Sequence, residues 1–344
     1  MISPLHIIQS IAFLLITSFS FSQEYFVDPI KGKDTYEGTE DRPFRLLSDA
    51  VKMANEQTGS GNIIIRLMPG TYLLEDKVVI NPVRIFTDTS SFTIEAFHMP
   101  DDKGWSPEKM PVILSSSSNN SDTFFKHAVG LLVASDHVHI RGLKFLGNPN
   151  PSVNYYYPIT KEDKSLEDLE VSQCMFIGDK EAARIQGGIW AHGPNNSVDH
   201  CVFYECRNAV LFFDNVQGFQ ISNSIITKSY ESAFWFGPEN VEFDFFNNLI
   251  FENQNFLVVR SADVKYSSPF RNSILANNGA SVGYWSMEKG RVMPIKNPNI
   301  QLDQISKEFE GEILENEEAA FPLKQLHLKA PLKGLIKQPG IFKN

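Results

Sequence analysis

Cysteine is scarce in this chain: three residues in 344, at positions 174, 201 and 206. Three thiols cannot build a disulfide framework, and no His or second Cys sits beside any of them at zinc-ligand spacing. A basic excess is also lacking. The 31 Lys and Arg face 41 Asp and Glu, for a net charge of −10, which argues against a general nucleic-acid or anionic-membrane surface. There is no Ser-His-Asp signature, no phosphate loop and no HExxH zinc motif. A Pro/Ser-rich linker is missing from the middle of the chain, so one elongated domain is expected. Long apolar runs are missing too. Ile11 to Ile16 is the strongest, and it is too short for a comfortable membrane span. Followed by Ser20-Phe21-Ser22, it reads instead as an export signal over 1–22. No Cys follows it, so no lipoprotein anchor is expected. The mature chain is expected to be secreted or periplasmic and monomeric.

What is present is a ladder of near-repeats. LEVSQCMFIG from Leu169, SVDHCVFYEC from Ser197, FQISNSIITK from Phe219, FFNNLIFENQ from Phe245 and PFRNSILANN from Pro269 share one shape. They align on Cys174, Cys201, Ser224, Asn248 and Ser273, at steps of 27, 23, 24 and 25 residues. Leu143 holds the same place 31 residues before Cys174. A period in the twenties, with short β-type runs and polar turns, marks a solenoid. The runs are too short and too rich in Val, Ile and Phe for paired helices, and the leucine-rich-repeat spacing is absent. The expected fold is all-β: a single-stranded, right-handed parallel β-helix whose coils stack at roughly 4.8 Å. Its 27 Phe residues suit rings stacked in line inside the coil.

The N-terminal part carries a strand (Tyr25–Asp28), then Gly32, Asp34, Gly38-Thr39 and Pro43-Phe44. A helix with an Ala50, Val51, Ala54 stripe (Leu46–Glu56), a strand (Ile63–Leu67) and Pro69-Gly70-Thr71-Tyr72 follow. This opening resembles that of exported β-helix proteins of the pectate-lyase-like superfamily. The helix is expected to cap the open end of the solenoid, where a bare strand edge would invite aggregation. The β-helix with its cap is placed at 23–305, and the remainder, 306–344, is read as a tail packing on the solenoid. Further strands are expected at Val78–Ile80, Arg84–Phe86, Phe92–Ala96, Val112–Leu114 and Leu131–Val133. Asn148 to Glu167, with Tyr155-Tyr156-Tyr157-Pro158, reads as an insertion interrupting the repeat.

Chemistry must then be sought in columns of residues one coil apart. In the third strand of each coil, alternation with Ile189, Val210, Ala233, Leu257 and Val282 inward gives an outward column of His192, Phe213, Phe236, Arg260 and Trp285. Trp190 lies beside it. Arg207, Lys228 and Tyr230 occupy the turns before that strand. Aromatic rings flanked by Arg and His suit a carboxylated sugar chain; a covering loop or tail explains the same apolar strip equally well. A neighbouring column, Gly142, Gln173, His200, Asn223, Asn247 and Asn272, reads as an asparagine ladder satisfying turn backbone.

The superfamily resemblance implies an enzyme acting on acidic polysaccharide, mostly by elimination. Elimination needs a neutralised carboxylate, a base and an acid. His192, Arg260 and Tyr230 are assigned those catalytic roles, with Trp190, Arg207, Phe213, Lys228, Phe236 and Trp285 binding the substrate. A lyase and an oligosaccharide dehydratase fit equally. A glycoside hydrolase needs two facing carboxylates, for which Glu205 and Glu231 are the nominees. A non-catalytic carbohydrate-binding β-helix is the remaining alternative. No cofactor is expected. Calcium is possible, but no dense acidic cluster indicates it.

Overall fold

Every coil of this chain turns three corners, and the corner residues explain how. The computed structural model describes residues 22–237, 243–261, 270–296, 313–315, 326–328 and 339–343. The segment read as an export signal, 1–21, lies outside them, as does most of 306–344. Among the described residues the strands form three long sheets, parallel except for one last strand, and a separate antiparallel pair, Ile313–Glu315 with Leu326–Leu328. The protein is a right-handed parallel β-helix.

The first sheet runs from Gln23–Val27 through Ile63–Leu67, Phe92–Ala96, Val138–Arg141 and Leu169–Ser172 to Phe270–Arg271. The second holds Lys144–Leu146, Met175–Ile177, Val202–Tyr204, Ile225–Thr227, Leu249–Phe251 and Ile274–Ala276. Its pairing, Met175 with Val202, then Ile225, Leu249 and Ile274, is the register read from the repeat. The third holds Ala128–Val133, Tyr156–Lys161, Gly187–Ala191, Asn208–Phe212, Ser232–Phe236, Asn255–Val259 and Ala280–Ser286. Arg291–Pro294 folds back antiparallel on Ala280–Ser286.

Left-handed backbone closes the corners. Gly142, Gln173, His200, Asn223, Asn247 and Asn272 all have φ between 49° and 70°. Glu205, Lys228, Glu252 and Asn277 form a second such column with φ of 51–55°. Side chains rarely adopt this region, and Asn adopts it best among them. The expected asparagine ladder is therefore first a conformational column. The side chains that bond turn backbone stand one residue later. Ser224 Oγ accepts the Cys201 N–H, Asn248 Oδ1 accepts that of Ser224, and Ser273 Oγ accepts that of Asn248. Asn253 and Asn278 repeat the device at the next corner. These groups are buried, where an unmet N–H would cost roughly 1–3 kcal/mol.

The core is filled by stacked rings. Phe145, Phe176 and Phe203 lie on successive coils at 5.0 and 4.6 Å, with planes within 7°. The three cysteines are buried free thiols, with Cys174 and Cys201 on adjacent coils. The helix, Leu47–Asn55, buries Leu47, Ala50, Val51 and Ala54 against the first coil. Gly38 is required there: its φ is 82°, and a Cβ would stand 2.2 Å from the Phe44 ring. No helix of the described residues is long and apolar enough to cross a membrane.

Three sequence expectations change. Arg84–Phe86 is not a strand; buried Arg84 instead bonds the carbonyls of Thr58, Gly61 and Asn62. The insertion 148–167 contains the strand Tyr156–Lys161, which pairs on both sides and completes its coil. Phe236 points into the core and is fully buried. Val210 pairs with Phe234, not Ala233, because Lys228–Glu231 is one residue longer than Glu205–Arg207. A one-residue slip exchanges the two faces of a strand, so Trp235 takes the outward place. Phe236→Ala is therefore expected to cost about 3–5 kcal/mol of unfolding free energy, and Trp235→Ala roughly half that. Denaturant titration of the two variants checks this, and the reverse order would restore the simple alternation.

Candidate functional site

The longer turn has a consequence on the outside of the third sheet. The N–H groups of Glu231 and Ser232 both donate to the Arg207 carbonyl, at 2.9 and 3.1 Å. Two residues thus oppose one, as in a bulge, and the strand re-aims what precedes it. Tyr230 and Glu231 are brought beside Arg207 in a cleft of about 510 Å³. Arg184 and Gln186 line it from the previous coil, Gln254 and Asn255 from the next, and Trp285, Arg291 and Val292 from the terminal hairpin.

Its floor is tied together. Arg207 donates to Glu231 Oε1 at 2.9 Å and to Gln186 Oε1 at 3.3 Å. Asn208 Nδ2 donates to Glu231 Oε2 at 2.8 Å, and Ser232 Oγ to Asn208 Oδ1 at 2.6 Å. Asn255 Nδ2 holds the Glu231 carbonyl at 2.7 Å. Burial opposes the Arg207 charge, but Glu231 outweighs it and raises the guanidinium above its ordinary value. Burial raises the Tyr230 phenol well above its ordinary value, so it is a proton donor at neutral pH. The Lys180 ammonium stands 5.7 Å from that ring. Four cationic side chains, Lys180, Arg184, Arg207 and Arg291, face two carboxylates, Glu181 and Glu231, in a chain whose net charge is −10.

Of the residues singled out in the sequence, the cleft gathers Arg207, Tyr230 and Trp285. His192 follows the strand Gly187–Ala191 and does not line the cleft. Its Nδ1 accepts the Asp214 N–H at 3.1 Å, so the neutral ring carries its proton on Nε2. Trp190 and Phe213 are its neighbours, both half-buried, with rings 5.9 Å apart. With Tyr157 at 4.8 Å from Trp190 and Trp235 at 5.2 Å from Phe213, they form an outer aromatic strip. Arg260 is exposed and three coils from His192. Lys228 leaves the third sheet altogether and donates to the Tyr204 hydroxyl at 3.2 Å. Phe236 is in the core. Within the carboxylate pair, Glu231 lines the cleft and Glu205 holds a left-handed corner away from it. Sequence reading missed Arg184, Gln186 and Arg291. The first two sit just before an aligned strand, in the widest of the four steps between Cys174 and Ser273; Arg291 follows the point where the repeat fades. Among the described residues no three His, Cys, Asp or Glu side chains converge as a metal site requires.

Burial lowers the pKa of His192, against the opposing pull of Asp214. The unfolded chain then takes up this proton first, near the ordinary value of about 6.5. The stabilisation is present above that pH and is lost as pH falls toward the folded value. NMR titration should find the His192 midpoint below the ordinary value, with the proton on Nε2 in the neutral form. A midpoint at or above it would contradict the burial of the ring.

No curated protein matches the chain by sequence. Among solved structures the chain is similar to a rhamnogalacturonan lyase, with 15% identity and a TM-score of 0.53 over 76% of this chain and 70% of that one. It is also similar to the pectate lyase Pel9A, with 13% identity and a TM-score of 0.52 over 85% and 80%. At such identities the likeness is one of fold. The model of a family described as proteins of unknown function (DUF1565) matches residues 30–278, and the chain belongs to that family.

Proposed function

We propose that this protein is an exported carbohydrate-active enzyme that acts by elimination on a glycan containing uronic acid, with the Arg207–Tyr230 cleft as its site. The observation that carries the reading is the concentration of four cations around a half-buried, protonated phenol in an acidic protein. Cationic side chains draw the uronate carboxylate in and spread its charge, which makes the proton on C5 acidic. A base removes that proton, and the cleft offers the carboxylates of Glu181 and Glu231. The electron pair forms the C4–C5 double bond as the C4–O bond breaks. Tyr230 gives its proton to the departing oxygen. If that oxygen belongs to the next sugar, the enzyme is a lyase; if it leaves as water, a dehydratase. The cleft arginines take over the carboxylate role first assigned to Arg260, which does not line the cleft. The flat face of Trp285 suits stacking on a sugar ring.

The test is incubation with plant and algal uronate polysaccharides and their oligosaccharides. Ultraviolet absorbance follows the conjugated product, and mass spectrometry detects loss of water. Tyr230→Phe keeps the ring but removes the acid, so turnover should fall about 100-fold or more while binding is kept. Full turnover by Tyr230→Phe would remove Tyr230 from the reaction. New reducing ends without the conjugated product would replace elimination by hydrolysis.

A further inference from the structure

The cations of the cleft are not equivalent. The Arg207 guanidinium, at the floor, is already engaged by Glu231 and Gln186. Arg184 and Arg291 are exposed and come from opposite ends of the cleft. Arg184 precedes the strand Gly187–Ala191, and its Nε donates to the Lys180 carbonyl at 2.8 Å. Its two terminal nitrogens bond no described residue. Arg291 opens the strand that returns on Ala280–Ser286, and its side chain makes no hydrogen bond or ion pair with a described residue. Five strand spacings separate the strand that follows Arg184 from the strand that Arg291 opens, which is about 24 Å of backbone. Two arginine side chains reaching inward narrow that gap but do not close it, so one carboxylate cannot meet both. Trp285 pairs in register with Val292, one residue beyond Arg291, and lines the same wall.

We propose that the cleft selects a saccharide with anionic groups on two neighbouring rings, one held by Arg184 and the other by Arg291. This rests on the reading of the cleft as a glycan site and adds to it that a lone acidic sugar between neutral ones is a poor ligand. Bidentate guanidinium contacts suit carboxylate and sulfate alike. The anion is therefore named by its chemistry, and the probes separate the two sources.

Isothermal titration calorimetry at low salt tests it with three probes. The first is a tetrasaccharide of contiguous uronates, the second one of the same length with a single uronate between neutral sugars, the third a neutral tetrasaccharide sulfated on adjacent rings. The contiguous uronate should bind at least tenfold tighter than the single uronate. Arg184→Gln and Arg291→Gln should each remove most of that advantage while the circular dichroism spectrum stays that of the wild type. Tight binding of the disulfated probe supports the two-anion requirement with sulfate as the anion. Equal binding of the single and contiguous uronates, or a contiguous-uronate affinity unchanged in either variant, overturns the proposal and leaves the glycan site standing. A wild-type protein that binds no anionic probe overturns the proposal and the glycan reading together.

Discussion

The carbonyl of Arg207 accepts two backbone N–H groups where that of Gln186, one coil earlier, accepts one, and the outer surface of the third sheet is organised around that departure. A parallel β-helix must keep its strands in register, because each coil hydrogen-bonds to the one before it. An extra residue in a corner therefore cannot be absorbed by sliding the strand. It must be expelled, and here the expelled pair is Tyr230 and Glu231. Without the extra residue, Lys228–Glu231 would match Glu205–Arg207 in length, and only one side chain would stand above Arg207. The bulge supplies a phenol and a carboxylate at one point, on a scaffold stiffened by stacked rings and buried amide ladders.

The network below the cleft fits a site that must hold its shape. Glu231 is held by Arg207 and Asn208, Asn208 by Ser232, and the Glu231 backbone by Asn255. Three successive coils contribute, so the geometry is fixed by stacking rather than by a loop. A partly buried ion pair of this kind adds little to net stability by itself. Its value lies in orientation, since fixed donors need little rearrangement when charge develops nearby. The surface beside the cleft is different in character. There Trp190, Phe213 and Trp235 present rings, and His192 is locked by the Asp214 N–H.

Much of the fold was legible because the repeat is written in its corners. Small or polar residues recur at Cys174, Cys201, Ser224, Asn248 and Ser273, where only a narrow column is available, and they set the register of the second sheet correctly. The third sheet was harder to read. Both members of Ala209-Val210, Ala233-Phe234 and Phe256-Leu257 lie in the core, so strict alternation fails inside the strands. Aligning Ala233 with Val210 followed the alternation and placed Phe236 outside. Tyr156–Lys161 was hidden by Pro158 and by Lys161, an inward lysine whose ammonium reaches the Leu166 carbonyl. Within the site, Arg207, Tyr230 and Trp285 were visible as outward residues near aligned strands. Arg184 and Arg291 were not, because their places depend on a loop and a returning hairpin, neither of which repeats.

The central claim is that an acidic saccharide occupies the cleft made by the Tyr230–Glu231 bulge. A crystal structure of the Tyr230→Phe variant with a contiguous oligouronate bound tests it most directly. The account predicts the sugar between Arg184, Arg207 and Arg291, with a ring against Trp285. A saccharide lying instead along Trp190, Phe213 and Trp235, with the cleft empty, would contradict it.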